Sequence, residues 1–200
     1  AQAMIVRIII NKPYRADEIE KILVHFRVTQ AEDGSWGMHP ESHGYVFFTT
    51  LAYVALRLSG VSREDPLLTR ALSWIRSQPV GVKGIPTWGK FWLAILGLYA
   101  YEGLNAIPPE LFLLPEWLPF HPRRFYCHTR LIYLGLAYVT GRRFIAPLDP
   151  DVILSLQEDL YGEPYTAISF RSCRHIIAER DVFVPISRPL KWVYDCLLYT

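Results

Sequence analysis

Four side chains in this sequence have types and spacings that could bind an apolar or cationic ligand. Trp88 offers an aromatic face that attracts a cation, and His128 carries an imidazole that exchanges a proton near neutral pH. Thr129 and Tyr133 are four residues apart, so both can lie on one face of the same helix. From residue type alone, the core interpretation is favoured for both Trp88 and His128, as a packed indole and a hydrogen-bonded imidazole, and the binding interpretation stays open as the alternative.

A metal site is the second chemistry to consider. His39 and His43 are also four residues apart, but Pro40 between them breaks a shared helix face and no third ligand has a suitable spacing. We therefore interpret the two histidines as a solvated loop pair and expect no metal. The three cysteines are widely separated and show no CxxC spacing, which favours a reducing compartment without a disulfide framework; they are Cys127, Cys173 and Cys196.

The elements that would position these residues are helical. Apolar residues recur at helical spacing, with caps and stops around them, and no alternating run is long enough for a sheet. The pattern predicts helices over 17–26, 42–60, 65–75, 90–102 and 124–140, with weaker candidates over 150–160, 170–179 and 189–198. We take Asp17, Ser42 and Asp65 as caps, and Gly60 as a stop. Five prolines between residues 108 and 122 predict an irregular connection. The expected fold is all-α, a partial α/α barrel of stacked helical hairpins.

Composition narrows the class of protein. The 200 residues carry 21 Lys+Arg against 19 Asp+Glu, a net charge of +2, and 51% are hydrophobic. Such a chain buries a core, which argues against disorder, and its scattered arginines argue against a nucleic-acid partner. The longest apolar stretch, residues 91–101, is about half of the roughly 20 residues that a membrane span needs. Arg7 interrupts the apolar stretch near the start, so we expect no signal peptide.

One segment invites a test for repeats. Phe26, Gln30, Gly34 and Trp36 are spaced so that the Gln30 amide can bond the backbone of the next turn while the Trp36 indole packs on the preceding helix. This arrangement would join the end of one helix to the start of the next. We find no second full copy of the pattern, so the sequence does not establish an internal repeat.

This segment resembles the QW motif of the squalene and oxidosqualene cyclases, and further segments resemble the same family in the same order. Residues 33–39 (DGSWGMH) are similar to DGGWGLH, 86–94 (PTWGKFWLA) to PSWGKFWLA, and 101–110 (YEGLNAIPPE) to WEGxNxxPPE. Residues 114–122 (LPEWLPFHP) are similar to LPxWLPFHP, 126–130 (YCHTR) to WCHCR, and 154–161 (LSLQEDLY) to LSLRxELY. The resemblance runs from about residue 15 to the C-terminus, and the oxidosqualene branch fits better than the squalene-hopene branch.

The resemblance implies an intramolecular transferase. The family folds 2,3-oxidosqualene or squalene in a closed cavity between two α-barrel domains, where an acid starts cyclisation and aromatic faces stabilise the moving cation. It implies no cofactor, an isoprenoid substrate and attachment to one membrane leaflet, on the cytoplasmic side or at the endoplasmic reticulum or lipid droplets. The family's acid lies in an Asp-Cys-Thr-Ala-Glu motif, which Asp195-Cys196-Leu197 does not match. We therefore expect residues 1–200 to be a single incomplete domain from the N-terminal half, without the catalytic-acid domain, inactive alone, and soluble if truncated.

The same resemblance assigns a substrate-binding set and no catalytic residue. Trp88 corresponds to a cavity-wall tryptophan, and Tyr126 stands where the family has another tryptophan. His128 corresponds to a histidine implicated in stabilising late cations or accepting the final proton. Thr129 replaces a cysteine, and Tyr133 corresponds to a tyrosine that narrows the substrate entrance.

Alternatives remain at this stage. A non-catalytic truncated paralogue that binds isoprenoid, or that partners a separate catalytic half, fits the same residues. A zinc-dependent prenyltransferase subunit would need an Asp, Cys and His ligand set that we cannot assemble. A group of arginines has two interpretations, solvated helix ends or contact with anionic headgroups beside an apolar entrance; its members are Arg123, Arg124, Arg130, Arg142 and Arg143.

Overall fold

The computed structural model describes residues 1–197, and within that range the chain is helical without strands. Its α-helices are α1 (Gln2–Ile9), α2 (Ala16–Thr29), α3 (Val46–Leu58), α4 (Pro66–Ser77), α5 (Thr87–Ile95), α6 (Cys127–Gly141), α7 (Pro150–Tyr161) and α8 (Arg188–Leu197). Short 3-10 turns join them. The predicted all-α class is confirmed.

Helix α3 is the centre of the core. It is apolar almost all round, as expected of a helix surrounded by other elements, and it packs against α1, α4 and α7. Its first amides have no cap from their own segment. Instead, the carboxylate of Asp181 accepts hydrogen bonds from the backbone N–H groups of Val46 and Phe47, both at 2.8 Å. The predicted start at Ser42 was therefore wrong, because the cap comes from a distant residue.

A buried carboxylate joins α7 to α3. Asp159 is fully buried and accepts a hydrogen bond from the hydroxyl of Tyr53 at 2.7 Å. Its oxygens also lie 2.8 Å from a guanidinium nitrogen of Arg63 and 3.6 Å from Nε of Arg57. Burial of the Tyr53 ring, together with this carboxylate, raises the pKa of the phenol. These contacts fix α7 against the central helix.

Several predicted boundaries were correct. Asp65 caps α4, with its carboxylate accepting from the Leu67 amide at 2.9 Å and Pro66 at the first helical position. Helix α7 follows the predicted range closely, and Gly60 ends the turn after α3 with a φ of +87°. The proline-rich connection is irregular, with 3-10 turns at Pro109–Leu113 and Pro122–Arg124. α8 confirms most of the range 189–198, whose last residue lies outside the described residues.

Three other predictions need correction. Helix α2 begins at Ala16, not at an Asp17 cap, because the Glu18 carboxylate reaches back to the Arg15 amide at 2.8 Å. The helix predicted over 90–102 runs from Thr87 to Ile95, and Gly97 with a φ of +74° ends it in a left-handed turn. The helix predicted over 170–179 is only a 3-10 turn, Phe170–Cys173.

Candidate substrate-binding site

Trp88 lies at the start of α5 on the exposed side of that helix. Its indole is 40% exposed, stacks on Phe91 at a centroid distance of 5.8 Å, and meets Trp92 edge to face at 6.2 Å. The helix turns its other faces inward, so the ring cluster rests on a packed base. The structure thus favours an available aromatic face over a fully buried core tryptophan.

Tyr126 and His128 form a second group, at the start of α6. The two rings stack at 5.1 Å with an interplanar angle of 20°, and Tyr126 is 70% exposed. The thiol of Cys127 lies 3.2 Å from Nδ1 of His128. His128 is exposed within the described residues, so its imidazole is not part of the core that these residues form. Its imidazole is available to a ligand or to a covering element.

Tyr133 belongs to a third group, further along α6. Its hydroxyl donates to the carbonyl oxygen of Pro108 at 2.7 Å, and its ring packs with Phe112 and Phe125, each at 6.0 Å. Burial, reinforced by the negative charge of Glu110, raises the pKa of Tyr133 to about 12. The phenol is therefore neutral at physiological pH. Its hydrogen bond to Pro108 holds the proline-rich connection against α6. Exposed Thr129 precedes Tyr133 by one turn.

The structure brings Tyr126 and His128 into direct contact, while Trp88 and Tyr133 each sit in an aromatic group of their own. The exposed face of α6 continues the apolar surface; it includes Leu131, Ile132, Leu134 and Tyr138, each more than half exposed. Large exposed apolar groups on one helix are typical of a ligand, membrane or protein contact.

The Gln30 and Trp36 segment has the predicted geometry. Nε2 of Gln30 donates to the carbonyl oxygens of Gly34 and Leu67, both at 2.9 Å, and the indole N–H of Trp36 donates to the Phe26 carbonyl at 3.1 Å. The end of α2 is thereby joined both to the following turn and to the start of α4. The predicted bond of Gln30 to the following turn and the contact of Trp36 with the preceding helix are confirmed, but the helix that Gln30 joins to α2 is α4 and not the next helix, α3.

The family model described as squalene-hopene cyclase N-terminal domain matches residues 1–199. The chain belongs to this family. It is 42% identical to lanosterol synthase of Pneumocystis carinii over 199 residues, which cover 98% of this chain and 27% of that protein. It is 40% identical to human lanosterol synthase over 185 residues, 92% of this chain and 25% of that protein. It is 42% identical to cycloartenol synthase of Dictyostelium discoideum over 151 residues, 76% of this chain and 21% of that protein.

This member of the squalene-hopene cyclase N-terminal domain family spans about a quarter of the length of the curated relatives it matches. The resemblance inferred from the motifs is confirmed. Within residues 1–197, none of the helices combines the length and apolar character that crossing a bilayer requires. In the same range, no three His, Cys, Asp or Glu side chains are grouped as a metal site would need, and His43 packs against the Tyr45 ring at 4.4 Å.

One residue of the site region was missed by sequence reasoning. Lys90 lies in α5 between Trp88 and Trp92, and its side chain is almost completely buried. The sequence did indicate its importance, because Lys90 is the single lysine in a mostly apolar helix. Its partners lie more than 80 residues away, however, and no local pattern identifies them.

Proposed function

We propose that this chain forms part of a cyclase that converts 2,3-oxidosqualene, or squalene, into a sterol or triterpene skeleton, and that it contributes one wall and the entrance of the cavity. The observation that carries the proposal is the match to lanosterol synthases along nearly the whole chain. The exposed aromatic and imidazole groups on α5 and α6 support it, because they supply the surface that such a cavity needs. The acid that protonates the substrate would come from the remainder of the cyclase or from a separate catalytic half.

The chemistry of the wall is electrostatic. An indole face stabilises a nearby carbocation by about 0.5 to 2 kcal/mol, more when water is excluded. Trp88 presents such a face, and its stack on Phe91 fixes the ring plane. His128, stacked under Tyr126, offers a nitrogen that can accept a proton at the end of the reaction. Neither group needs a metal or a soluble cofactor for these roles.

The entrance role rests on Tyr133 and Thr129. Because the hydroxyl of Tyr133 is committed to Pro108, its ring position is set by the backbone of the proline-rich connection. Thr129, one turn earlier, projects on the same side of α6 and carries a smaller side chain. We propose that these two residues define the width of the channel through which the substrate passes.

The direct test is a segment exchange. This chain replaces the matching residues of the Pneumocystis carinii lanosterol synthase, and products formed from oxidosqualene are separated by gas chromatography and mass spectrometry. We expect cyclised product from the chimera, and Trp88→Leu to lower its formation at least about tenfold, equivalent to about 1.4 kcal/mol of lost stabilisation. The matched control is Trp117→Leu, which removes an indole that is 74% exposed and lies outside the α5 cluster.

Two outcomes would contradict the proposal. A folded chimera that binds oxidosqualene but forms no product would favour the non-catalytic paralogue instead. Equal losses from Trp88→Leu and Trp117→Leu would show that Trp88 has no special place in the cavity.

We further propose that the outer face of α6 contacts one membrane leaflet. Its exposed leucine and isoleucine side chains are flanked by arginines at both helix ends. Arg123 pairs with Glu116 and Arg143 pairs with Glu102, which leaves three cations best placed for anionic headgroups: Arg124, Arg130 and Arg142, the last with its guanidinium 5.7 Å from the Tyr138 ring centroid. Flotation with vesicles of phosphatidylcholine, with and without phosphatidylserine, tests this contact. Leu131→Asp should abolish flotation, and flotation that is unchanged in this variant would overturn the assignment.

A further inference from the structure

We infer that Lys90 is a positioning residue for the aromatic wall, and that it sets the orientation of Trp88 by fastening α5 to the Cys173–Ile176 turn. The inference rests on the proposed function, because the orientation of Trp88 affects the reaction only if Trp88 faces the substrate. The geometry that carries it is independent of activity. It can therefore be tested on this chain without substrate.

The ammonium group of Lys90 has an unusual environment. The residue is 1% exposed, and Nζ donates to the carbonyl oxygens of Cys173 at 2.7 Å, Arg174 at 2.9 Å and Ile176 at 3.0 Å. All three N–H bonds are thus used, and the acceptors are backbone groups of one turn. A buried ammonium is costly to desolvate, so a contact that retains it defines a specific geometry. That geometry is the position of α5 relative to the turn.

The Cys173–Ile176 turn that binds Lys90 is itself held by other elements. Arg174 is 6% exposed, and its guanidinium donates to the carbonyl of Glu102 at 2.9 Å and pairs with Asp195 of α8 at 2.7 Å. The Ala178 amide donates to the Gly84 carbonyl at 2.7 Å. Lys90 therefore holds α5 against a turn that is connected to several other elements.

The position of Lys90 on α5 determines what it controls. Successive residues of an α-helix are about 100° apart, so Trp88 and Lys90 point in nearly opposite directions. Between them, Gly89 allows a close approach, since a Cβ there would lie 2.4 Å from Ile85 and 3.0 Å from Phe47. Lys90 and Gly89 together fix the rotation of α5 about its own axis, and that rotation sets the direction of the Trp88 indole.

A merely structural lysine would contribute stability without directing Trp88, and the two roles differ in a spectroscopic signature. Trp92 lies on the same helix and turns with Trp88, so the readout must report Trp88 relative to solvent. Trp88 is 40% exposed, and acrylamide quenching of its fluorescence depends on how much of the indole solvent reaches. The contribution of Trp88 is the difference between the quenchable fluorescence recorded with and without Trp88→Phe. It is measured in the native chain, Lys90→Met, Lys90→Arg and Lys83→Met. The last is the matched control, because Lys83 lies on a neighbouring turn and pairs with Glu163 at the surface.

We expect the quenchable contribution of Trp88 to change by about half or more in Lys90→Met, to recover in Lys90→Arg, and to be unchanged in Lys83→Met. Far-ultraviolet circular dichroism confirms that each variant is folded. A folded Lys90→Met with an unchanged contribution of Trp88 would overturn the inference. That result would not affect the cyclase proposal, which the segment exchange tests separately. Failure of the segment exchange would likewise not affect this spectroscopic result.

A pH titration of the native chain keeps the inference testable if Lys90→Met does not fold. Burial lowers the pKa of Lys90 to about 8. The ionisable groups facing it are the Cys173 thiol, the Arg174 guanidinium and Tyr99, whose ring lies 5.8 Å from Nζ and whose pKa burial raises far above this range. The contribution of Trp88 should change with a midpoint near pH 8 and should do so equally in Cys173→Ala. A flat profile between about pH 6.5 and about pH 10 would refute the positioning role.

Discussion

Replacing Asp159 by alanine tests whether the carboxylate between α7 and α3 holds these helices together. The substitution removes a fully buried carboxylate, which leaves the hydroxyl of Tyr53 without its acceptor at 2.7 Å. It also leaves Arg57, whose side chain is 15% exposed, without a counter-ion. We expect a large loss of stability because both groups stay buried after their partner is removed.

The magnitude follows from the partners. Removing one member of a buried ion pair costs about 3 to 5 kcal/mol. An unsatisfied buried hydroxyl adds about 1 to 3 kcal/mol, part of which is already counted in the first figure. The pair with Arg63, whose side chain is 46% exposed, adds at most about 1 kcal/mol. We therefore expect Asp159→Ala to lower the free energy of unfolding by about 4 to 6 kcal/mol, and the melting temperature by roughly 10 to 20 °C.

The assay is urea unfolding followed by far-ultraviolet circular dichroism at neutral pH. Asp151→Ala is the matched control, since it removes an exposed carboxylate from the first turn of the same helix and should cost less than about 1 kcal/mol. Tyr53→Phe completes a double-mutant cycle with Asp159→Ala, in which we expect a coupling energy of about 1 to 2 kcal/mol.

A loss below about 1 kcal/mol with an unchanged slope in urea would refute this account of the buried carboxylate. A coupling energy near zero would refute the Tyr53 hydrogen bond specifically. A changed slope would instead indicate that the variant alters the denatured state. The change in melting temperature then shows whether the native state has also lost stability.

Two further predictions concern a turn and a helix contact. Gly34→Ala should destabilise the chain by roughly 2 kcal/mol or more, because φ is +92° and the new Cβ would lie 2.7 Å from the Arg70 carbonyl oxygen. The control is Gly60→Ala, which has a φ of +87° and open space around it and should cost about 1 kcal/mol in the same urea assay. The hydrogen bond from His175 lowers the pKa of the Asp195 carboxyl, so the contact of α8 is complete above about pH 4 and is lost as the pH falls further. The protection factors of the α8 amides, which correct for the slower intrinsic exchange in acid, should fall with acid in the native chain but not in Asp195→Asn.

Local chemistry explains what could be predicted from the sequence. Asp65 followed by Pro66 specifies a helix start within three residues, and the structure has that start. The Gln30 and Trp36 motif was also predictable in outline, since the Gly34 and Phe26 carbonyls lie within ten residues. Its second bond, to Leu67, required the packing of α4 on the motif and was not predicted.

A left-handed glycine and long-range contacts explain what was missed. The helix predicted over 90–102 stops at Ile95, because Gly97 takes a left-handed conformation, which composition alone does not signal. The segment 170–179 has helical periodicity, but its carbonyls serve Lys90 and its Ala178 amide serves Gly84 instead of closing helical turns. The substrate-binding assignments came from the family resemblance, and their roles stay predictions until the segment exchange is done.

The cap that Asp181 places on α3 has a consequence for biosynthesis. The two amides it binds lie 135 and 134 residues earlier in the chain, so the start of the central helix stays without this cap until residue 181 has been made. At ribosomal speeds of about 5 to 20 residues per second, that interval lasts roughly 7 to 27 s. Nascent chains would spend this time with an apolar helix whose first amides lack their protein acceptor. Ribosome-stalled chains ending before and after residue 181 would differ in protease sensitivity at the start of α3.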